Sequence, residues 1–164
     1  MSHDLQSAIV HGITGSHWLI ERFCGDLTEA EWTHRPVPGA NPAAWIVGHM
    51  ILTHRSFFGL VSDDTLPELP EGFAEKFPRD KAAADAATDF GDVMQLLPSL
   101  REHTELLAAA VSKLSVEQLA APLEKPFGPN ETLSDALIFC GLHAASHAGH
   151  ISTIRRSLGK PPVV

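Results

Sequence analysis

Apolar residues recur at steps of three and four along four stretches of this chain, the spacing that turns one face of an α-helix toward a core. The first stretch runs from about Ser2 to Gly25, with Leu5, Ile9, Ile13, Ile20 and Phe23 on one face and Gly25 as its stop. Residues 26–40 hold Pro36 and Pro38 and read as a connection. The second helix starts at Asn41, a capping residue, with Pro42 at the first helical position. Its inward stripe is Ile46, His49, Thr53, Phe57 and Leu60. Residues 62–80, with Pro67, Pro70, Gly72, Pro78 and six acids, predict a long loop with room for a short helix.

The third helix covers roughly 86–114, with Val93, Leu97, Leu100, Leu107, Val111 and Leu114 inward. Pro98 predicts either a kink or the true start of this helix. Residues 115–131 form another connection, with a helical turn at SVEQL and a chain turn at PFGPN. The fourth helix opens on a T-x-x-D capping pattern, Thr132 to Asp135, and runs to about Leu158, where Gly159 and two prolines end it. There is little strand signal and no internal repeat. The pattern predicts an all-α four-helix bundle, one domain over residues 1–164.

Composition narrows the function. At 44% hydrophobic residues the chain has the material for a core, and a net charge of −8 lacks the basic surface that nucleic acid or an anionic membrane requires. No apolar run approaches the ~20 residues of a membrane span, and the opening MSHDLQSAIVHG does not read as a signal peptide. Cys24 and Cys140 are too few for a disulfide framework and read as reduced thiols, so the expected setting is cytoplasmic.

The unusual feature is ten histidines, three of them in the segment HAASHAGH at 143–150. The inward stripe of the fourth helix is Ala136, Cys140, His143, His147, Ile151, Ile154 and Leu158. His143 and His147 lie one turn apart on that apolar face, where both rings can reach one metal ion. Alone the pair is weak, since a lone histidine on an apolar face is more often a packed core residue. His49 strengthens it. A bundle that joins the second and fourth helices sets His49 opposite the pair, and three histidines leave positions open on a metal as catalytic sites do. Imidazoles buried together without a partner would be costly, and coordination satisfies them.

NPAAWIVGHM, followed by H-x-x-x-H-x-G-x-I-x-x-I-R-R-x-L-G-x-P-P, resembles the DinB/YfiT-like superfamily of metal-dependent enzymes across nearly the whole chain. The resemblance implies an up-down-down-up four-helix bundle. It implies a metal triad at His49, His143 and His147. Imidazole nitrogen suits zinc, nickel, iron and copper alike, with zinc or nickel as the first candidates and iron as a further one. The resemblance also implies low-molecular-weight-thiol-dependent transfer onto a small-molecule electrophile, and a homodimer. Many relatives carry glutamine where this chain has His150, which is expected to be exposed or to act behind the ligands rather than as a fourth ligand.

The remaining candidates have plainer expectations. Cys140 is expected to be a small core residue, Trp45 to pack beside the site, and Trp18 and Trp32 to be structural. His17 and His103 are expected at helix edges with surface rings, and His54 to point away from His49 with no role. Arg155 and Arg156 suit the negative end of the helix dipole or an anionic substrate. No nucleophile elbow, phosphate loop or nameable acid–base pair is present. Three readings stay open. They are a metal-dependent thiol transferase or hydrolase, a non-catalytic metal- or ligand-binding bundle acting as sensor or interaction module, and a bundle whose histidines are only structural.

Overall fold

The computed structural model describes residues 4–77 and 89–163. The expected helix starts at Ser2 and at residues 86–88, and the 78–80 end of the long loop, lie outside the described residues. Among the described residues four long helices carry the fold: α1 (Leu5–Cys24), α3 (Ala43–Phe58), α5 (Leu96–Val111) and α7 (Leu133–Ser157). Three single turns join them: α2 (Glu29–Trp32), α4 (Phe73–Lys76) and α6 (Val116–Leu119). A small hairpin, β1 (Pro122–Phe127) with β2 (Asn130–Thr132), leads into α7.

Local chemistry explains most of these boundaries. The Asp4 carboxylate accepts the Ser7 amide at 2.8 Å and starts α1. Thr132 and Asp135 form the expected capping box at the head of α7, and Gly159, at φ +75°, follows its end as a left-handed residue only glycine adopts cheaply. Pro98 marks a start rather than a kink. It is the third residue of α5, where a backbone N–H has no helical acceptor, and a 3₁₀ turn at Val93–Gln95 precedes it.

Several expectations are corrected. Gly25 does stop α1 as expected, but in ordinary right-handed geometry, at φ −63°. Pro42, not Asn41, occupies the cap of α3, and no side chain caps that helix. Leu60 lies outside α3 and is exposed. Residues 26–40 contain a helical turn closed by a Thr28–Glu31 capping box. The hairpin at 122–132 gave little signal because Pro122, Pro126 and Pro129 lie in or beside its strands, where each removes a ladder donor.

Helix α1 packs on α7 and α5, and α3 packs on α5 and α7, so the long helices enclose one core. That core divides in two. Toward one end lie Ile20, Phe23, Trp45, Ile46, Leu96, Leu100, Ile151 and Ile154. Toward the other lie Ile9, Ile13, Phe57, Leu107, Val111, Leu137 and Cys140. Each fully buried Ile or Leu in these clusters contributes about 1.5–3 kcal/mol. Between the clusters every long helix places polar residues inward: His17 on α1, His54 on α3, His103 and Thr104 on α5, and His143 and His147 on α7. The core therefore has a histidine layer across its middle.

Candidate metal centre

The triad is built by two packed helices. Half-buried His49 stands on α3, and half-buried His143 and buried His147 stand one turn apart on α7. The ring centroids are 5.4 Å apart for His49–His143, 5.3 Å for His49–His147 and 4.5 Å for His143–His147. One nitrogen from each ring lies within 4.8 Å of the other two. The Nε2 atoms of His143 and His147 approach to 3.1 Å. With metal–nitrogen bonds of about 2.0–2.1 Å, two donors lie about 2.9 Å apart at a right angle and about 3.4 Å apart at the tetrahedral angle. The His143–His147 separation falls inside that interval, and His49 brings a third nitrogen within 4.8 Å of both, so the three are placed to hold one ion.

The electrostatics agree. Burial, then the neighbouring rings of His143, His49 and His150, push the His147 imidazole down to about 3. At neutral pH it is an uncharged donor, the form a metal needs. Trp45 stacks on His49 at 4.7 Å with 9° between the planes, and Phe139 stacks on His143 at 5.8 Å and 18°. These aromatic faces fix the two rings from either side. Gly48, next to His49, has its own reason. A Cβ there would sit 2.3 Å from the buried Phe77 ring, so glycine lets the 62–77 segment lie against α3.

The sequence profile of the DinB superfamily matches residues 19–151, which include all three histidines. This chain belongs to the DinB superfamily. Its fold is similar to the crystal structure of a conserved protein from Enterococcus faecalis, at a TM-score of 0.77 and 19% identity, covering 97% of this chain and 100% of that one. No curated protein is a significant match.

Around the DinB triad the other candidates sort by contact. His150 is exposed, touches His147 edge-on at 5.6 Å, and is outside the converging set. Cys140 is fully buried in an apolar cluster and its thiol is pushed up to about 12 by that burial, so it is a core residue and not a thiolate ligand. Arg155 does not face a substrate. It is 3% exposed, donates to the Phe23 carbonyl at 2.9 Å and pairs with both Asp26 carboxylate oxygens, tying α7 to the end of α1. Trp32 is buried as expected, whereas Trp18 is 51% exposed.

Three DinB-chain histidines that the sequence pattern left at the surface or without a role are buried: His17, His54 and His103. His103 is fully accounted for. Its Nδ1 faces the Ser99 carbonyl at 2.8 Å and its Nε2 faces Arg55 Nη1 at 2.9 Å, and that guanidinium also donates to the Pro67 carbonyl. A neutral ring bridging a carbonyl acceptor and a guanidinium donor is pinned as the Nδ1–H tautomer. His54 is 1% exposed and rests on Thr104, with burial holding its imidazole at about 3. The signal that could have located these three is their position at the middle of each predicted helix, between apolar turns.

Proposed function

We propose that this protein is a metal-dependent enzyme in which His49, His143 and His147 hold one divalent ion, zinc or nickel first and iron next. The convergence of three imidazole nitrogens within 4.8 Å carries the reading. Such an ion, when bound, supplies Lewis acidity that lowers the pKa of a coordinated water or thiol toward neutrality. The chain supplies the neutral donors, the aromatic faces of Trp45 and Phe139 that hold two of them, and partial solvent exposure at His49 and His143.

The favoured reaction is transfer of a low-molecular-weight thiol to a small electrophile, with hydrolysis as the sister reading. A specific observation supports an open, reactive site over a saturated sensor site. Neither His150 nor Cys140, the two neighbours nearest to completing a coordination shell, joins the converging donors among the described residues. We further propose one domain with its long helices running up-down-down-up, a homodimer, and a cytoplasmic setting. The helix directions are supported by contacts that pair α1 with α7 in the same order (Gly12 with Gly141, Phe23 with Arg155) and α1 with α5 in the opposite order (Gln6 with Leu114, Glu21 with Arg101).

Metal content of untagged protein from its native host, measured by mass spectrometry, tests this reading. About one ion per chain is expected, lost in a His143→Ala/His147→Ala double variant. His49→Ala should lose metal and thiol-conjugating activity together. A wild-type protein without metal, or activity that survives metal loss, would overturn the proposal.

A further inference from the structure

Hydrogen-bond accounting in the histidine layer leaves two rings unexplained. Thr104 Oγ1 donates its one hydrogen to the Leu100 carbonyl at 2.7 Å. It can therefore only accept from His54, whose Nδ1 lies 3.1 Å away. That assigns the hydrogen of His54 to Nδ1 and leaves Nε2 as a bare lone pair. This Nε2 is buried and has no partner among the described residues. His17, 7% exposed, has both ring nitrogens buried and without a formed hydrogen bond, although its Nε2 stands 3.3 Å from Glu21 Oε1. With Nε2–H directed at that carboxylate, His17 Nδ1 is a second bare acceptor.

The two acceptors belong to one place. His54 rests on Thr104, and Glu21, beside His17, is held by Arg101 through Nε and Nη2, each at 2.6 Å. Arg101 and Thr104 are three residues apart on α5 and so share a face. Charged or titratable groups facing His54 are His17 from α1, His103 from α5 and His143 from α7. Those facing His17 are Glu21 from α1 and Arg101 and Glu105 from α5. Along α1, His17 lies between the Gly12–Gly141 and Phe23–Arg155 contacts, and His147 lies between the same two contacts along α7. His17 is thus level with the stretch of α7 that carries His147.

His17 is close enough to act electrostatically on His54, and two neighbouring buried acceptors are matched by a donor with two hydrogens, which water supplies. We propose that His54 Nε2 and His17 Nδ1 hold an ordered water, and that this water, His17 and Glu21 form a proton path from the triad side of the histidine layer to the surface. His54 is a positioning residue: it stays neutral and orients the water. His17 carries the proton. Its Nδ1 takes a hydrogen from the water as the water receives one from the interior, and its Nε2–H passes to Glu21, which is a quarter exposed and opens to solvent. The reverse transfer, in which a solvent hydrogen enters through Glu21 to Nε2 and Nδ1 returns its hydrogen to the water, restores the starting tautomer and completes the exchange.

The path depends on the metal reading for its proton source, and the test separates the two. The whole chain is loaded with Co²⁺, and solvent ¹H and ¹⁷O relaxation give the rates at which hydrogens and whole water molecules leave the ion. Hydrogen exchange should outrun oxygen exchange in the wild type, then fall about tenfold or more in His54→Gln and in His17→Phe, with oxygen exchange and Co²⁺ stoichiometry unchanged. Imidazole buffer should restore it. Equal hydrogen and oxygen rates in the wild type, or unchanged hydrogen rates in a folded, Co²⁺-loaded variant, would overturn the path. If His54→Gln fails to fold, His17→Phe at the outer end decides. Failure of Co²⁺ to bind the wild type would instead sink the metal reading, and the path's proton source with it. Side-chain ¹⁵N spectra of metal-free protein test the water site alone, because His54 carrying its hydrogen on Nε2 would remove the acceptor on which it rests.

Discussion

Lowering the pH from 7 to 5 should destabilise the metal-free protein through His54 by an amount that can be worked out. In the unfolded chain this imidazole has its ordinary value near 6.5, whereas burial holds it at about 3 in the fold. Between those values the unfolded state binds one more proton than the native state, so stability rises with pH in that window and is lost as pH falls through it. The slope is about 1.4 kcal/mol per pH unit. From 7 to 5 the loss assigned to His54 is about 2 kcal/mol, nearly all of it below pH 6.5. Because pH 5 lies well above the native value, the figure is insensitive to where that value falls. Asp26 titrates elsewhere. Its pairing with Arg155 depresses the carboxyl below its ordinary 3.8, so its contribution holds above that range and is lost only in stronger acid. The assay is urea unfolding at pH 7 and pH 5 in the presence of a chelator, for the wild type and His54→Leu. The variant will be weaker at pH 7, having lost the Thr104 contact, but its drop between the two pH values should be smaller by about 2 kcal/mol. Equal drops in the two proteins would refute the placement of a neutral, buried His54.

Gly48→Ala should lower stability by about 1–2 kcal/mol, since the clash with Phe77 outweighs the ~1 kcal/mol gained by removing a helical glycine. A higher thermal midpoint would show that the 62–77 segment does not press on α3. Arg155→Met should cost about 1–3 kcal/mol in urea unfolding by leaving the Phe23 carbonyl without its donor, with bound metal per chain unchanged. Loss of metal in that variant would argue that the arginine belongs to the site. Native protein should react with a thiol reagent at Cys140 only as fast as it unfolds, because that thiol is fully buried and pushed up to about 12. Rapid labelling in buffer would contradict that packing.

The long helices were legible because each carries its own apolar period and, for α7, a capping box and a terminal glycine. The triad was legible because His143 and His147 share a face by spacing alone, and His49 sits in a pattern that runs with them. The histidine layer was not. Spacing says which face of a helix a residue occupies, but not which residue of another helix it meets. Spacing relates His54 only to His49 on its own helix, whereas its partner, Thr104, lies 50 positions away. Arg155 had a sufficient local explanation in the helix dipole, yet its acceptor is the Phe23 carbonyl, 132 residues distant. The hairpin was hidden for another reason, because its proline-rich strands depend on neighbouring structure rather than on their own propensity.

The pairing of the first and last long helices bears on how the chain comes off the ribosome. Contacts such as Arg155 with Phe23 span 132 residues, and α1 with α7 is the most extensive helix interface. At 5–20 residues per second, about 7–25 seconds pass between the emergence of one side of that interface and the other. During that interval the face of α1 that will receive α7 has no permanent cover. Close approach at Gly12 and Gly141 must likewise wait for α7. Although the long elements described are helical, native topology is settled only once α7 is made, which gives this bundle the long-range closure more often met in β-proteins.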